Sequence, residues 1–445
     1  MEMTPLPPRR ILIRGVNWLG DAVMTTPALL RLREKFPDAH ITLLTPEKLA
    51  DLWKHHPAVD DVISFSGDEG LRHIATRLRA ESLRRFLGSH EARREAGRTA
   101  YQETAMVGGT LAQGIANVAQ EVSKATIDAA KEARKQAFEL ALVLPNSPRS
   151  ALEVFLARIP QRIGYARPWR NLFLTQTVAA RAGAVKMRKR SVAEIKQLVA
   201  ADVSRQQTSA SPGGTASRVG LVSRVLTHTA TSAHQIHEYL HLAAAVGANP
   251  EPLPPQLFVI PEEIEVARKK FGLEEISGPI LGLNPGAEYG PAKRWPVERF
   301  IAAAREIQKR THCVWLLFGG KSDVGLTGQI AAALRASRIP HHDFAGQTTL
   351  RELMALLKLC RVLLTNDTGP MHVAAALGTP VVVPFGSTSP ELTGPGLPGD
   401  PRHHLLKSDA PCSPCFLRQC PIDFRCLQGI GVDQVVAAVG EVSMR

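Results

Sequence analysis

The chain is short of cysteine and of long apolar runs, and its aromatic residues are sparse. Six cysteines in 445 residues are too few to staple a chain of this length, which excludes a disulfide-built secreted scaffold. No stretch reaches the ~18 apolar residues of a membrane-spanning helix. The start, Met1 to Arg10 with Pro5, Pro7 and Pro8, lacks the long apolar core of a signal peptide. A protein made and kept in the cytoplasm is the expectation. The glycine-containing turn after the first strand is neither a G-x-G-x-x-G fingerprint nor a P-loop ending in Gly-Lys-Ser/Thr, so a nicotinamide dehydrogenase or an NTPase is disfavoured.

What is present is the profile of a globular α/β protein: 44% hydrophobic and 21% charged residues, with a length that exceeds one growing core and calls for two domains. A formal net charge of +13 favours anionic partners, whether nucleic acid, membrane surface or phosphorylated small molecules. Nucleic acid has only the charge in its favour, because no aromatic-interleaved basic motif supports it.

Arg10–Arg14, Ile41–Thr45 and Val62–Phe65 read as strands, with helical spacing over Ala28–Phe36. That is the strand-helix-strand unit of a parallel sheet. From Gly67 to Lys135 a polar, proline-free stretch reads as a helical insertion, after which strand character resumes at Leu140–Pro145. Its arginines (Arg72, Arg77, Arg79, Arg84, Arg85, Arg93, Arg94, Arg98) read as a solvated helical face or as a membrane- or acceptor-facing surface. Gln206–Ser217, rich in Ser, Thr and Gly, reads as a flexible loop. Gly247–Pro255 is a stiff Pro-rich linker and the best domain boundary. This divides the chain into an N-terminal domain, 1–247, and a C-terminal domain, 256–430, followed by a helix over 431–445. Ile280–Leu283, Cys313–Phe318, Val362–Thr365 and Val381–Pro384 supply strands for a second doubly wound domain. Two such domains create a cleft at the carboxyl ends of both sheets.

Four runs carry chemistry. In Gly15-Val16-Asn17-Trp18-Leu19-Gly20-Asp21, Asp21 sits where the chain enters a helix and reads equally as an N-cap or as a general base. In Asn284-Pro285-Gly286-Ala287-Glu288-Tyr289-Gly290-Pro291-Ala292-Lys293-Arg294-Trp295-Pro296, backbone donors and two adjacent cations suit a diphosphate. In Asn366-Asp367-Thr368-Gly369-Pro370-Met371-His372, a strand hands over to a small-residue helix whose start is built for an anion. Asp367 or Thr368 reads also as a cap, and His372 as a core histidine satisfied by a hydrogen bond. Phe385-Gly386-Ser387-Thr388-Ser389-Pro390 is a hydroxyl-rich turn with a weaker signal.

Together these runs resemble glycosyltransferase family 9, the bacterial heptosyltransferases, across both domains apart from the insertion and the flexible loop. The resemblance implies a GT-B architecture, two Rossmann-like domains facing a central cleft. It also implies an inverting transfer without a bound metal or cofactor, from ADP-L-glycero-D-manno-heptose to the heptosyl-Kdo inner core of lipopolysaccharide. On this chain the family's catalytic aspartate falls on Asp21 and its diphosphate-binding lysine on Lys293, which also serves catalysis. Donor contacts fall on Asn284, Gly286, Lys293, Arg294, Asp367, Thr368, Gly369 and His372. The acceptor is expected near Leu144–Ser150, with Asn17, Arg149 and Arg162 to receive it. The implied partner is a lipid-anchored acceptor, which places a monomeric, cytoplasmic enzyme at the inner face of the inner membrane. Cys412, Cys415, Cys420 and Cys426 have spacings permissive for zinc, but reduced structural thiols are the favoured reading. Two rivals stay open. One is another GT-B transferase of the same pathway, adding a different heptose; the other is a non-catalytic nucleotide- or metal-binding regulator.

Overall fold

The computed structural model describes residues 7–80, 137–208, 224–225 and 233–443. The first sheet has six parallel strands: β1 (Arg10–Arg14), β2 (His40–Pro46), β3 (Asp61–Phe65), β4 (Leu140–Val143), β5 (Gln161–Tyr165) and β6 (Gln176–Val178), in the spatial order β3-β2-β1-β4-β5-β6. The second contains β7 (Arg224–Val225), β8 (Ile280–Asn284), β9 (Val314–Leu317), β10 (His341–Asp343), β11 (Val362–Thr365), β12 (Val381–Phe385) and β13 (His404–Lys407), ordered β10-β9-β8-β11-β12-β13-β7. Apart from β7, which runs antiparallel to β13, each sheet repeats the doubly wound order in which strand sequence reverses at the middle. The reversal falls between β1 and β4 in one domain and between β8 and β11 in the other. These crevices are where open α/β sheets bind ligands.

The central strands β1, β8 and β12 are buried at every position, as strands covered by helices on both faces must be. Helix Leu19–Lys35 follows β1 and contains Pro27, whose ring nitrogen cannot serve the carbonyl of Val23. The Thr26 hydroxyl donates to that carbonyl instead, at 2.8 Å, and accepts from the backbone N–H of Gln256 at 3.1 Å. The same helix packs against helix Gly369–Ala376 of the other domain, so one apolar cluster runs from Ile11 and Leu29 to Met371 and Val373.

The Gly247–Pro255 linker is not where the chain first changes domain. Helix Val192–Thr208 buries Ile195 among Leu281, Trp295 and Cys412 of the C-terminal core, and the Arg190 N–H donates to the Cys415 carbonyl at 3.0 Å. The β7 strand extends the C-terminal sheet. The chain then returns: helix Ile236–Ala244 lies on helix Leu19–Lys35, and the Tyr165 hydroxyl donates to the Glu238 carbonyl at 2.6 Å. The apolar positions of these segments, rather than the proline-rich linker, decide which core they join. The C-terminal helix, Val432–Ser443, packs on helix Val297–Thr311.

The loop expected at Gln206–Ser217 begins later, since helix Val192–Thr208 continues through its first residues; its remainder lies outside the described residues. Of the Gly67–Lys135 insertion, 71–80 is helical, with Ile74, Ala75 and Leu78 buried beside Leu12 and Phe65. From 81 on, including Arg84, Arg85, Arg93, Arg94 and Arg98, it lies outside the described residues.

Candidate active site

The crevices of the two sheets open toward each other, and each chemistry-bearing run contributes to the space between them. Asp21 is the third residue of helix Leu19–Lys35. It is not the cap: Trp18 holds the N-cap position and makes no side-chain capping bond. The carboxyl is instead turned to the cleft, and burial pushes its pKa up to about 6, with Lys293 opposing the shift, Gln235 opposing it by a hydrogen bond and Asp367 reinforcing it. A carboxylate so tuned is closer in basicity to a hydroxyl's needs than a solvated one.

Across the cleft, Lys293 ends the short turn Pro291–Lys293 that Gly290 permits. At φ 142° a side chain on Gly290 would be strained, and its Cβ would also meet the Arg418 carbonyl at 2.6 Å. The Lys293 ammonium lies 2.6 Å from Asp367 Oδ2 and over the Tyr289 ring. Asp367 is buried and does not cap its helix; it binds Lys293, and the Thr388 hydroxyl donates to the same oxygen at 2.5 Å. The hydroxyl-rich turn after β12, the weakest of the sequence signals, is thereby part of the site.

Thr368 is the N-cap of helix Gly369–Ala376, with its hydroxyl unused for capping, and Gly369 begins the helix. A Cβ on Gly369 would stand 2.8 Å from Leu19 Cδ2, and one on Gly20 would stand 2.6 Å from His372 Cδ2. The two helix starts therefore meet through glycines. His372 is buried under Gly20, and burial pushes its pKa down to about 4, so it is neutral at neutral pH. The structure seats it as a packing residue of the domain contact.

Beside Thr368, over the carboxyl ends of β8 and β9, lies a cavity of about 330 Å³ bordered by Asn284, Gly286, Phe318, Asp323, Leu353 and Thr368. Its size and mixed lining suit a nucleoside. Asn284 and Arg294 each have a partner within the domain. The Asn284 amide donates to the Thr365 hydroxyl at 3.0 Å, bracing the strand reversal, and Arg294 lies 3.5 Å from Asp323. Gly286 is needed because a Cβ would collide with the Asp323 carboxyl.

The N-terminal candidates separate. Asn17 is exposed at the cleft, accepting from Arg14 at 3.1 Å, and half-exposed Arg149 opens helix Pro148–Leu156 after β4, donating to the Glu69 carbonyl at 2.8 Å. Arg162 is not with them. It stands at the start of β5, the opposite end of the sheet from Asp21, and its guanidinium serves the carbonyls of Phe173 and Ile159 at 2.7 and 2.5 Å. Strand polarity separates it from the cleft, so an acceptor role for Arg162 is withdrawn.

Sequence reasoning missed Gln235, Asn366 and Asp323. Asn366 receives the Trp295 N–H at 2.9 Å and donates to the Pro285 carbonyl at 2.7 Å, fastening the lysine loop to β11; its place inside the third run was the available signal. Asp323, before helix Val324–Ala336, had no motif around it.

Cys412, Cys415 and Cys426 are buried thiols whose pKa values burial raises, that of Cys426 to about 12. Among the described residues, no group of histidine, cysteine and acidic side chains is gathered to hold a metal ion. The segment braces the lysine loop: the Tyr289 hydroxyl donates to the Phe416 carbonyl at 2.7 Å, and the N–H groups of Cys415 and Phe416 donate to Ser387.

Residues 213–424 match the model of glycosyltransferase family 9 (heptosyltransferase). The likeness extends over both domains in full-length relatives. Lipopolysaccharide heptosyltransferase 2 of Salmonella typhimurium is 27% identical over 87% of this chain and 85% of its own. The chain is a glycosyltransferase similar to family 9. Lipooligosaccharide heptosyltransferase 2 of Haemophilus ducreyi is 26% identical to this glycosyltransferase, over 87% of the chain and 86% of its own. Two solved structures share the fold: ADP-heptose lipopolysaccharide heptosyltransferase II of E. coli (TM-score 0.64, 23% identity, 98% of each chain) and a family 9 glycosyltransferase of Veillonella parvula (TM-score 0.65, 19% identity, 99% of each chain). The paired doubly wound domains of this glycosyltransferase are the GT-B architecture.

Proposed function

We propose that this glycosyltransferase moves heptose from ADP-L-glycero-D-manno-heptose to the heptosyl-Kdo inner core of lipopolysaccharide, inverting the anomeric carbon without a metal ion. The observation that carries the reading is the opposition, across one cleft, of a buried carboxyl whose pKa is raised and a lysine set beside a helix start. The similarity to relatives named lipopolysaccharide heptosyltransferase 2 supports the substrates.

Asp21 takes the proton of an acceptor hydroxyl as that oxygen bonds to the anomeric carbon, help typically worth ~10²–10⁴ in rate. The bond from the anomeric carbon to the β-phosphate oxygen breaks on the opposite face, and ADP leaves with its electron pair. Lys293 and the amide of Gly369 stabilise the charge that gathers on the diphosphate. The nucleoside occupies the cavity beside Thr368, where Asp323 is a hydrogen-bond acceptor for sugar hydroxyls. Asn17 and Arg149 meet the acceptor. The acceptor is lipid-anchored, so the enzyme works as a monomer at the cytoplasmic face of the inner membrane, helped by its net positive charge. Among the described residues no helix is long and apolar enough to cross a membrane.

Asp21→Asn separates this reading from a nucleotide-binding regulator: the variant should bind ADP-heptose and transfer nothing. Transfer by Asp21→Asn at the rate of the unaltered enzyme would remove the aspartate from the mechanism. Activity on an acceptor still lacking its first heptose would instead favour a heptosyltransferase 1 type of reaction.

A further inference from the structure

Asp21 is held from within its own domain by a residue that none of the motifs contains. Gln235 immediately precedes helix Ile236–Ala244, and its Nε2 donates to Asp21 Oδ1 at 3.4 Å and to the hydroxyl of buried Tyr239 at 3.0 Å. Its position is set by the other domain. The Gln235 backbone N–H donates to the Leu392 carbonyl at 2.9 Å. The neighbouring His234 is buried; its Nδ1 accepts from the Ile236 N–H at 3.3 Å, which leaves Nε2 to donate to the Gly394 carbonyl at 3.1 Å.

The groups facing Asp21 are Lys293 and Asp367 from the C-terminal domain, Tyr239 from helix Ile236–Ala244, and His372 packed on Gly20. Lys293 is bound to Asp367 at 2.6 Å and burial keeps His372 neutral. The contact on Asp21 that is neutral and also directional is the Gln235 amide. It occupies one carboxylate oxygen and leaves the other for an acceptor hydroxyl.

We propose that Gln235 is a positioning residue: its carboxamide orients Asp21 for the acceptor proton and, through the Leu392 and Gly394 carbonyls, makes that orientation depend on contact between the two domains. This rests on Asp21 being the base. An amide serves better than a cation here, because a full ion pair would draw down the carboxylate's basicity, whereas the amide fixes its direction at small cost.

The test measures kcat between pH 5 and 8 in the full-length enzyme at saturating ADP-heptose, with the donor KM, for Gln235→Leu, Gln235→Asn and Gln235→Glu. A hydrogen bond to the ionised carboxylate favours ionisation, so its loss raises the pKa of Asp21. Gln235→Leu is expected to lower kcat between about ten- and a hundred-fold, leave the donor KM within about two-fold, and move the acidic limb to higher pH. Gln235→Asn, which keeps an amide but falls short of the carboxylate, is expected to move it the same way, and this holds as the test if the leucine variant fails to fold. Gln235→Glu sets a second carboxylate against the first and should move the limb furthest. A fall in kcat with an unmoved limb, or no fall at all, overturns the role of Gln235. Asp21→Asn, run alongside, keeps the failures apart: if that variant transfers, the base assignment is wrong, and if it is dead while the limb stays put, only Gln235 is wrongly placed.

Discussion

At the scale of single residues, Asp21 and Lys293 are tied to the reaction in opposite ways. In the proposed reaction Lys293 compensates charge that grows only as ADP departs, so its loss should fall on turnover. Lys293→Ala is expected to reduce kcat about 10²–10³-fold at saturating ADP-heptose, read in a steady-state assay; unchanged turnover would show that the lysine only helps binding. Asp21 carries a cost for its readiness as a base. Its folded pKa of about 6 lies above the 3.8 of an unperturbed aspartate, so the stability it contributes is present at low pH and lost as pH rises through 6. Asp21→Asn should therefore be more stable than the unaltered enzyme above pH 6, by at most roughly 3 kcal/mol, with the difference vanishing near pH 4. Chemical denaturation at pH 7.5 and at pH 5.5 checks the sign and the window, with the advantage of the asparagine smaller at the lower pH.

The meeting of the two helix starts, Leu19–Lys35 and Gly369–Ala376, is what brings the proposed base and the proposed leaving-group site together at the scale of elements. A methyl group at Gly20 would stand 2.6 Å from the His372 ring, closer than atoms pack. Gly20→Ala is expected to push the helices apart, costing ~1–3 kcal/mol and raising the donor KM, measured by thermal unfolding and by donor titration; an unaltered KM would mean that the contact does not shape the site. This scale also shows what the sequence could and could not reveal. Strands β1, β8, β11 and β12 were legible because burial on both faces makes them unbroken apolar runs. Strands β5, β6 and β10 were not: Gln161-Arg162 opens β5, and His341-His342-Asp343 is the whole of β10, an edge strand half open to water. The helix start at Gly369 and the lysine loop were visible from their local chemistry, and the structure brings both to the cleft that Asp21 faces. The partners that engage Asn284 and Arg294, Thr365 and Asp323, were not legible because they are remote in sequence. Gln235 was invisible for the same reason.

For the whole molecule, burial of histidine sets the acid limit. His56, His234, His372 and His403 are each at most 5% exposed, and burial holds each near a pKa of about 4 against 6.5 unperturbed. Their stability contribution is complete above pH 6.5 and is lost as pH falls toward 4. At pH 5 the loss is about 2 kcal/mol apiece, offset by about 1 kcal/mol from Asp21. A deficit of that size is comparable to the whole stability of an ordinary domain. A fall in stability on acidification below pH 6.5 is expected, read as the free energy of chemical denaturation at pH 7 and at pH 5.5; a stability unchanged between them would contradict the burial of these rings. The enzyme's useful range would then open near pH 6, where Asp21 ionises and the histidines are neutral.

The joined domains, the opposed Asp21 and Lys293 and the nucleoside-sized cavity make one claim about chemistry. It is tested most directly by incubating the purified enzyme with ADP-heptose and a monoheptosylated Kdo–lipid A acceptor in chelator-treated buffer, and weighing the product by mass spectrometry. The account predicts an acceptor heavier by one heptose, released ADP, and no product with Asp21→Asn. An acceptor of unchanged mass, with ADP-heptose bound but intact, would contradict it.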